Sequence, residues 1–219
     1  MKSTTIRISL LDDHLILLQA LADRINAEQG MQVVSTASTA EQGLRGILET
    51  CPDIAILDVE LPGRGVFDIA GQINVRQKQT KILFLTGYLS DVFIEQALKH
   101  EARGYLMKGE PIEYLIDCIR RIDAGEYCFS EEVARRLEFN PDRKRYFVRG
   151  NNPLGSLTSR QLEVLRRLAK GESVKEVAKS MHISQKSVDS HKYRIMHMLG
   201  IHDRVTLARY AIREGLTLP

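Results

Sequence analysis

A chain of 219 residues exceeds the usual size of one domain, so two modules with separate cores are expected. Hydrophobic residues at 43% and charged residues at 27% fit neither a disordered chain nor a membrane span, and no apolar run approaches the length of one. The net charge of +3 hides an asymmetry. Residues 1–129 hold 13 Lys/Arg against 18 Asp/Glu, a net of −5, whereas residues 130–219 hold 18 against 10, a net of +8. An acidic front and a basic rear imply different partners for the two halves.

The front half alternates short β-branched runs with longer amphipathic ones, the pattern of a parallel α/β sheet. Strands are predicted at 6–11, 32–36, 54–57, 81–85 and 104–106, with helices near 14–29, 40–49, 67–76, 91–99 and 111–124. The expected fold is a flavodoxin-like, doubly wound, five-stranded parallel sheet over residues 1–127. The N-terminus carries no basic, apolar, then small-residue cleavage signal, so a cytoplasmic address is expected. Cys51, Cys118 and Cys128 are odd in number and lack metal-ligand spacing, which predicts reduced, mostly buried thiols.

Residues 128–154 are expected to hold a short helix, capped by Ser130 and running to Glu138, and then a linker. The stretch 140–155 loses all periodicity and contains Arg143, Lys144, Arg145 and Arg149, whose charges either keep it solvated or touch DNA. From 155 to 219 the sequence reads as a small all-α domain. Thr158 with Gln161, and Ser173 with Glu176, form capping boxes; Ser184 and Asp203 open two further helices, and Gly171 and Gly200 end helices.

Ligands of open α/β sheets gather at the carboxyl ends of the strands, and five polar groups are predicted there: Asp12, Asp13, Asp58, Thr86 and Lys108. Clustered carboxylates repel unless a cation neutralises them, and a hard, oxygen-binding ion such as Mg²⁺ suits the position. One carboxylate could then act as nucleophile toward phosphorus, with the ion and an ammonium offsetting charge on the transferred oxygens. Taken singly, such an Asp is usually a turn residue, Thr86 a strand hydroxyl and Lys108 a solvated charge.

The segments Leu10-Leu11-Asp12-Asp13-His14, Ile56-Leu57-Asp58-Val59-Glu60-Leu61-Pro62-Gly63, Leu85-Thr86-Gly87 and Gly104-Tyr105-Leu106-Met107-Lys108 resemble the signatures of bacterial receiver domains. That resemblance implies that Asp58 is the phosphoacceptor, that Asp12, Asp13, Asp58 and the Glu60 main-chain carbonyl hold the metal, and that Thr86 and Lys108 bind the phosphoryl group. It also implies a switching role for Thr86 and Tyr105. For Tyr105 the plainer alternative is a packed ring with a wet hydroxyl. Two departures stand out: Gly65-Val66 replaces the usual acidic residue and glycine before the third helix, and Gly109 replaces a frequent proline.

In the rear domain Leu162, Leu165, Leu168 and Ala169 fall at core spacing, as do Val174, Val177, Ala178 and Met181, and then Val188, Ile195 and Leu199. The opposite side of the third helix carries Lys186, Asp189, Ser190, Tyr193, Arg194 and His197, a composition suited to a major-groove reader or simply to a solvated face. The stretch Leu157-Thr158-Ser159-Arg160 with Glu163-Val164-Leu165, Gly171, Glu176-Val177-Ala178, Ser187-Val188 and Leu199-Gly200 resembles LuxR-type helix-turn-helix domains. The whole chain is similar to NarL/FixJ-family two-component response regulators. That resemblance implies a sensor histidine kinase as phosphodonor, double-stranded DNA as target, and a homodimer as the active form. Base contacts are then expected from Asp189, Ser190 and Tyr193, and phosphate contacts from Lys186, Lys192 and Arg194. Asp189 and Met198 stand where basic residues are common, and His191 is read as packing. Ala208, Ala211 and Ile212 of the last helix are expected either at a dimer interface or in the domain core. A competing reading, a haloacid-dehalogenase-like phosphohydrolase, would need a second Asp two positions after the nucleophile, where this chain has Glu60.

Overall fold

A computed structural model describes residues 5–61, 65–87, 89–150 and 153–217; Pro62 and Gly63 of the second signature lie outside the described residues. The chain divides into two compact units, Met1–Gly87 with Ala97–Leu137, and Tyr88–Gln96 with Glu138–Pro219. Among the described residues no helix is long and apolar enough to cross a membrane.

The first unit is built on strands β1 (Ile6–Leu11), β2 (Met31–Ala37), β3 (Ile54–Asp58), β4 (Lys81–Thr86), β5 (Gly104–Met107) and β6 (Cys128–Phe129). They form a wholly parallel sheet in the order β2-β1-β3-β4-β5-β6. Every residue of β3 is buried, as a continuous apolar run at the centre of a sheet covered on both faces should be. One face packs against α1 (Leu15–Asn26) and α5 (Ile112–Asp123), where Leu18, Leu21, Ile25, Ile116, Ile119 and Ile122 share a core with Ile8, Leu10, Ile56, Leu83 and Leu85. Helices α2 (Ala40–Thr50) and α3 (Val66–Arg76) continue the βα alternation, and α4 (Asp91–Lys99) follows β4 in the chain, with Asp91–Gln96 counted in the second unit.

The sheet has six strands where five were expected. β6 is only two residues long, too short for alternation to show in the sequence, and it pairs with Gly104 and Tyr105. Its Cys128 is bonded to Cys118 of α5, which corrects the expectation of reduced thiols; only Cys51 is free, and it is exposed. Both paired cysteines are fully buried in the α1–α5 core, and a Cα separation of 5.5 Å lies within disulfide reach. A spacing of ten residues could not reveal that α5 runs back alongside the last strand.

The following short helix, α6 (Glu131–Ala134), stops before Glu138, and the Ser130 side chain makes no cap bond because its hydroxyl is buried without a hydrogen-bond partner. Where an aperiodic linker was expected, the chain forms a two-stranded hairpin, β7 (Leu137–Asn140) and β8 (Arg145–Val148). Asn140 Oδ1 accepts from the Arg143 amide at 2.9 Å, closing the turn. The rings of Phe139 and Tyr146 meet across the strands at 5.1 Å. The Asn140-Pro141-Asp142 turn and the alternation on either side of it were the missed signals.

Four helices follow: α7 (Ser159–Ala169), α8 (Val174–Ser180), α9 (Gln185–Leu199) and α10 (Arg204–Arg213). Both capping boxes form, Ser184 and Asp203 cap α9 and α10, and Gly200 ends α9 in the left-handed region at φ 64°. The core gathers Leu162, Leu165, Leu168, Val177, Ala178, Val188, Ile195, Leu207 and Ala211, while Leu199 is only half-buried. α10 packs on α7, which puts Ala211 in the domain core.

One charged group inside this unit is unusual. Arg167, 8% exposed, holds Glu163 at 2.7 Å, Glu172 at 3.2 Å and the Ser180 hydroxyl at 2.9 Å, so it ties α7 to α8. Burial pushes the Glu163 carboxyl up in pKa, and the Arg166 and Arg167 guanidinia pull it back. Arg167→Ala would leave that carboxyl buried without its nearest cation, a loss on the order of 3 kcal/mol. Urea denaturation followed by circular dichroism should show the transition of the C-terminal unit moved to lower denaturant; an unmoved transition would mean that the pair contributes nothing.

Candidate phosphoacceptor site and nucleic-acid interface

Register places the polar groups of the first unit. Leu11 lies opposite Leu57, Asp58 opposite Leu85 and Thr86 opposite Met107, so the residues that end or follow β1, β3, β4 and β5 emerge on one edge. Three backbone bonds secure the loops there: Asp12 N to Ala37 O at 3.2 Å, Val59 N to Leu85 O at 2.9 Å and Lys108 N to Thr86 O at 2.7 Å.

On that edge Lys108 Nζ stands 2.8 Å from Asp12 Oδ2 and 3.0 Å from Asp58 Oδ2. The other Asp58 oxygen accepts from the Glu60 amide at 3.0 Å. Asp12, Asp58 and Thr86 are buried, Asp13 is half-buried, and ligand atoms of Asp12, Asp13, His14 and Asp58 lie within 4.8 Å of one another. Burial raises the Asp58 pKa to about 6, against the pull of the Glu60 amide and the Lys108 charge. Burial alone would depress the Lys108 ammonium, but its contacts with Asp12 and Asp58 outweigh that and hold it above its usual range.

Asp12, Asp13, Asp58, Thr86 and Lys108 thus converge as the sequence suggested. Tyr105 lies opposite Phe84 in the sheet, its ring 6.2 Å from that neighbour's, and the whole side chain is 1% exposed. Its hydroxyl is therefore enclosed with the ring rather than wet. Two further groups escaped the sequence reading. His14 Nδ1 stands 3.0 Å from Asp13 and 3.2 Å from Asp12, on a largely exposed side chain. The Glu60 side chain, beyond its carbonyl, accepts from the Gly87 amide at 3.0 Å, linking the loops after β3 and β4. A Cβ at Gly87 would fall 2.8 Å from that carboxylate, so the glycine makes the approach possible.

Oxygen donors around a buried carboxylate, with one ammonium to offset their charge, fit a hard divalent cation. Three negative groups against one positive leave room for such an ion, and Asp12, Asp13 and Asp58 are suitable ligands.

In the second unit α9 presents Lys186, Asp189, Ser190, Tyr193, Arg194 and His197 to solvent, with Tyr193 70% exposed and 6.3 Å from the His197 ring. Lys192 is half-buried and bonded to Asp189 at 2.7 Å, so two side chains assigned separate roles neutralise each other in this structure. His191 is half-buried, with Nδ1 lacking a hydrogen-bond partner, and burial lowers its pKa.

Comparison with known proteins agrees with this geometry. Residues 8–120 match the family described as the response regulator receiver domain, and residues 155–211 match the bacterial regulatory proteins of the luxR family. The oxygen regulatory protein NreC of Staphylococcus haemolyticus is 30% identical over 213 residues, covering 96% of this chain and 98% of that protein; its Staphylococcus epidermidis counterpart is 31% identical over 214. A LuxR-family two-component response regulator from Aurantimonas shares 32% identity over 60% of this chain and 94% of its own, with a TM-score of 0.57. RcsB of Salmonella typhimurium, at 21% identity, shares the fold over 98% of this chain and all of its own, with a TM-score of 0.72. The chain belongs to the response regulators that join a receiver domain to a LuxR-type DNA-binding domain.

Proposed function

We propose that residues 1–127 form a receiver in which Asp58 accepts a phosphoryl group from a sensor histidine kinase, and that residues 155–219 bind duplex DNA in response. The supporting observation is the meeting of Asp12, Asp58 and Lys108 within 3.0 Å at the carboxyl edge of the sheet. An Asp58 carboxylate oxygen attacks phosphorus, the bond from phosphorus to the donor's imidazole nitrogen breaks, and the imidazole leaves with that electron pair. Lys108 carries a positive charge to the developing phosphoryl oxygens, and the Thr86 hydroxyl, at the end of β4, donates to one of them. Asp12, Asp13, Asp58 and the Glu60 carbonyl would hold Mg²⁺, which supplies charge neutralisation when bound.

A phosphorylated Asp58 draws Lys108 and Thr86 toward new oxygens, and Tyr105, buried one strand from Thr86, is the side chain positioned to change packing with them. Output follows through α9, with Ser190 and Tyr193 at base edges and Lys186, Lys192 and Arg194 on phosphates. Asp189 would have to release Lys192 before either reached DNA. A homodimer on repeated half-sites makes the second contact effectively intramolecular, so a modest gain in dimerisation gives a large gain in occupancy. The protein's place in this scheme is the bacterial cytoplasm, with the chromosome.

Incubation with acetyl phosphate and Mg²⁺ should add the mass of one phosphoryl group to the wild type and none to Asp58→Asn; an adduct that survives in the variant would refute the assignment. A second expectation concerns pH. The folded pKa of Asp58, about 6, lies above its ordinary 3.8, so the unfolded chain loses this proton first. The Asp58 contribution to stability is therefore present below about pH 4 and is lost as pH rises through 6, a difference on the order of 3 kcal/mol. Denaturation of metal-free protein across this range should show that decline, Asp58→Asn should flatten it, and Mg²⁺ should stabilise the wild type more at pH 8 than at pH 5.

A further inference from the structure

The hairpin formed by β7 and β8 belongs to the same compact unit as the four C-terminal helices. Its two faces differ. Side chains alternate along a strand, so Tyr146 and Val148 share one face, which also carries the Phe139 ring paired with Tyr146, while Arg145 and Phe147 share the other. Phe147 is 43% exposed, and Arg143, Lys144 and Arg145 run consecutively through the turn into β8, all exposed. Among the described residues none of these three cations takes part in an ion pair, although Asp142 precedes them and Arg149, further along, is engaged by Glu138 at 3.2 Å.

Three consecutive exposed cations, with an exposed ring two residues further along the strand, make a surface whose charge complements a polyanion. Guanidinium and ammonium groups match phosphate oxygens, and a two-stranded ribbon has the width to lie in a groove of duplex DNA. A lipid surface would reward several apolar side chains inserted together, whereas the two exposed rings of the hairpin, Phe139 at 50% and Phe147 at 43%, lie on opposite faces. The surrounding sequence favours DNA too, since residues 130–219 carry a net charge of +8.

We propose that the β7–β8 hairpin is a second DNA-contacting element, in which Arg143, Lys144 and Arg145 bind backbone phosphates and Phe147 packs against the sugar edge between them. This rests on the reading of the C-terminal unit as a DNA-binding domain, and it adds a contact outside α9. The hairpin contributes affinity without sequence preference, because phosphates carry no base information.

The test uses the full-length chain and a random-sequence DNA duplex, with binding measured by fluorescence anisotropy over a range of salt. Combining Arg143→Gln, Lys144→Gln and Arg145→Gln should reduce the slope of log affinity against log salt by about two to three, with affinity at about 0.15 M salt lowered at least tenfold. Phe147→Ala should weaken binding with the slope unchanged, since its contact releases no counterion. A triple variant with wild-type slope and affinity would overturn the proposal. If in the same series Lys186→Ala with Arg194→Ala still reduces binding, the failure belongs to the hairpin alone and the reading of α9 stands. A triple variant that keeps its DNA slope but loses binding to phosphatidylglycerol vesicles would also overturn it, in favour of a membrane contact.

Discussion

Two buried carboxylates sharing one ammonium set the terms for the whole first unit. Asp12 and Asp58 lie on adjacent strand ends with almost no solvent, and Lys108 bridges them at 2.8 and 3.0 Å. Burial raises the Asp58 pKa to about 6 even with Lys108 beside it, and the neighbouring Asp12 charge adds to that shift. The site is therefore short of positive charge by construction. That deficit makes a divalent cation welcome, and it also makes the arrangement sensitive to any group that changes the local charge, a phosphoryl group above all.

The parallel sheet is what enforces this crowding. Strands in register carry their last residues to the same height, so Leu11, Leu57, Leu85 and Leu106 bury the strands while the residues just beyond them are forced together. The apolar residues cannot slip by one position without turning a buried face to water. Hydrophobic burial on both faces of the sheet thus offsets the electrostatic cost of the edge, and the functional groups owe their positions to side chains that do no chemistry. Tyr105 illustrates the coupling, since its ring is part of that packing while its strand leads directly to Lys108.

Much of this was readable in advance, for a physical reason. Amphipathic helices such as 40–49 and 111–124 announce themselves because burial of one face dictates the spacing of apolar residues, and a central strand such as 54–57 shows as a short continuous apolar run. The candidate site groups at strand ends follow once the strands are known. What failed to show were features without periodicity or with purely tertiary causes. β6 is too short to alternate, the β7–β8 hairpin alternates over only four residues a side, and the Cys118–Cys128 bond depends on how α5 returns to the sheet. The Glu60 to Gly87 bond likewise joins loops 27 residues apart. The pairing of Asp189 with Lys192 follows the i, i+3 spacing on a helix, and it engages two side chains that the sequence alone assigns to DNA.

The two charged regions differ in burial, and that difference decides how each can work. In the acidic site Asp12 and Asp58 are buried, their charges are weakly screened, and a single covalent event on Asp58 alters the balance among a handful of atoms. On α9 and the hairpin the cations are exposed, so each contact is screened and worth little alone, and useful affinity requires several phosphates bound at once. A buried site suits a switch because one added group dominates its field. An exposed basic surface suits a target with repeated charge, because its strength grows with the number of contacts, and a unit that gained cations outside its recognition helix would gain grip on DNA without altering which sequence it reads.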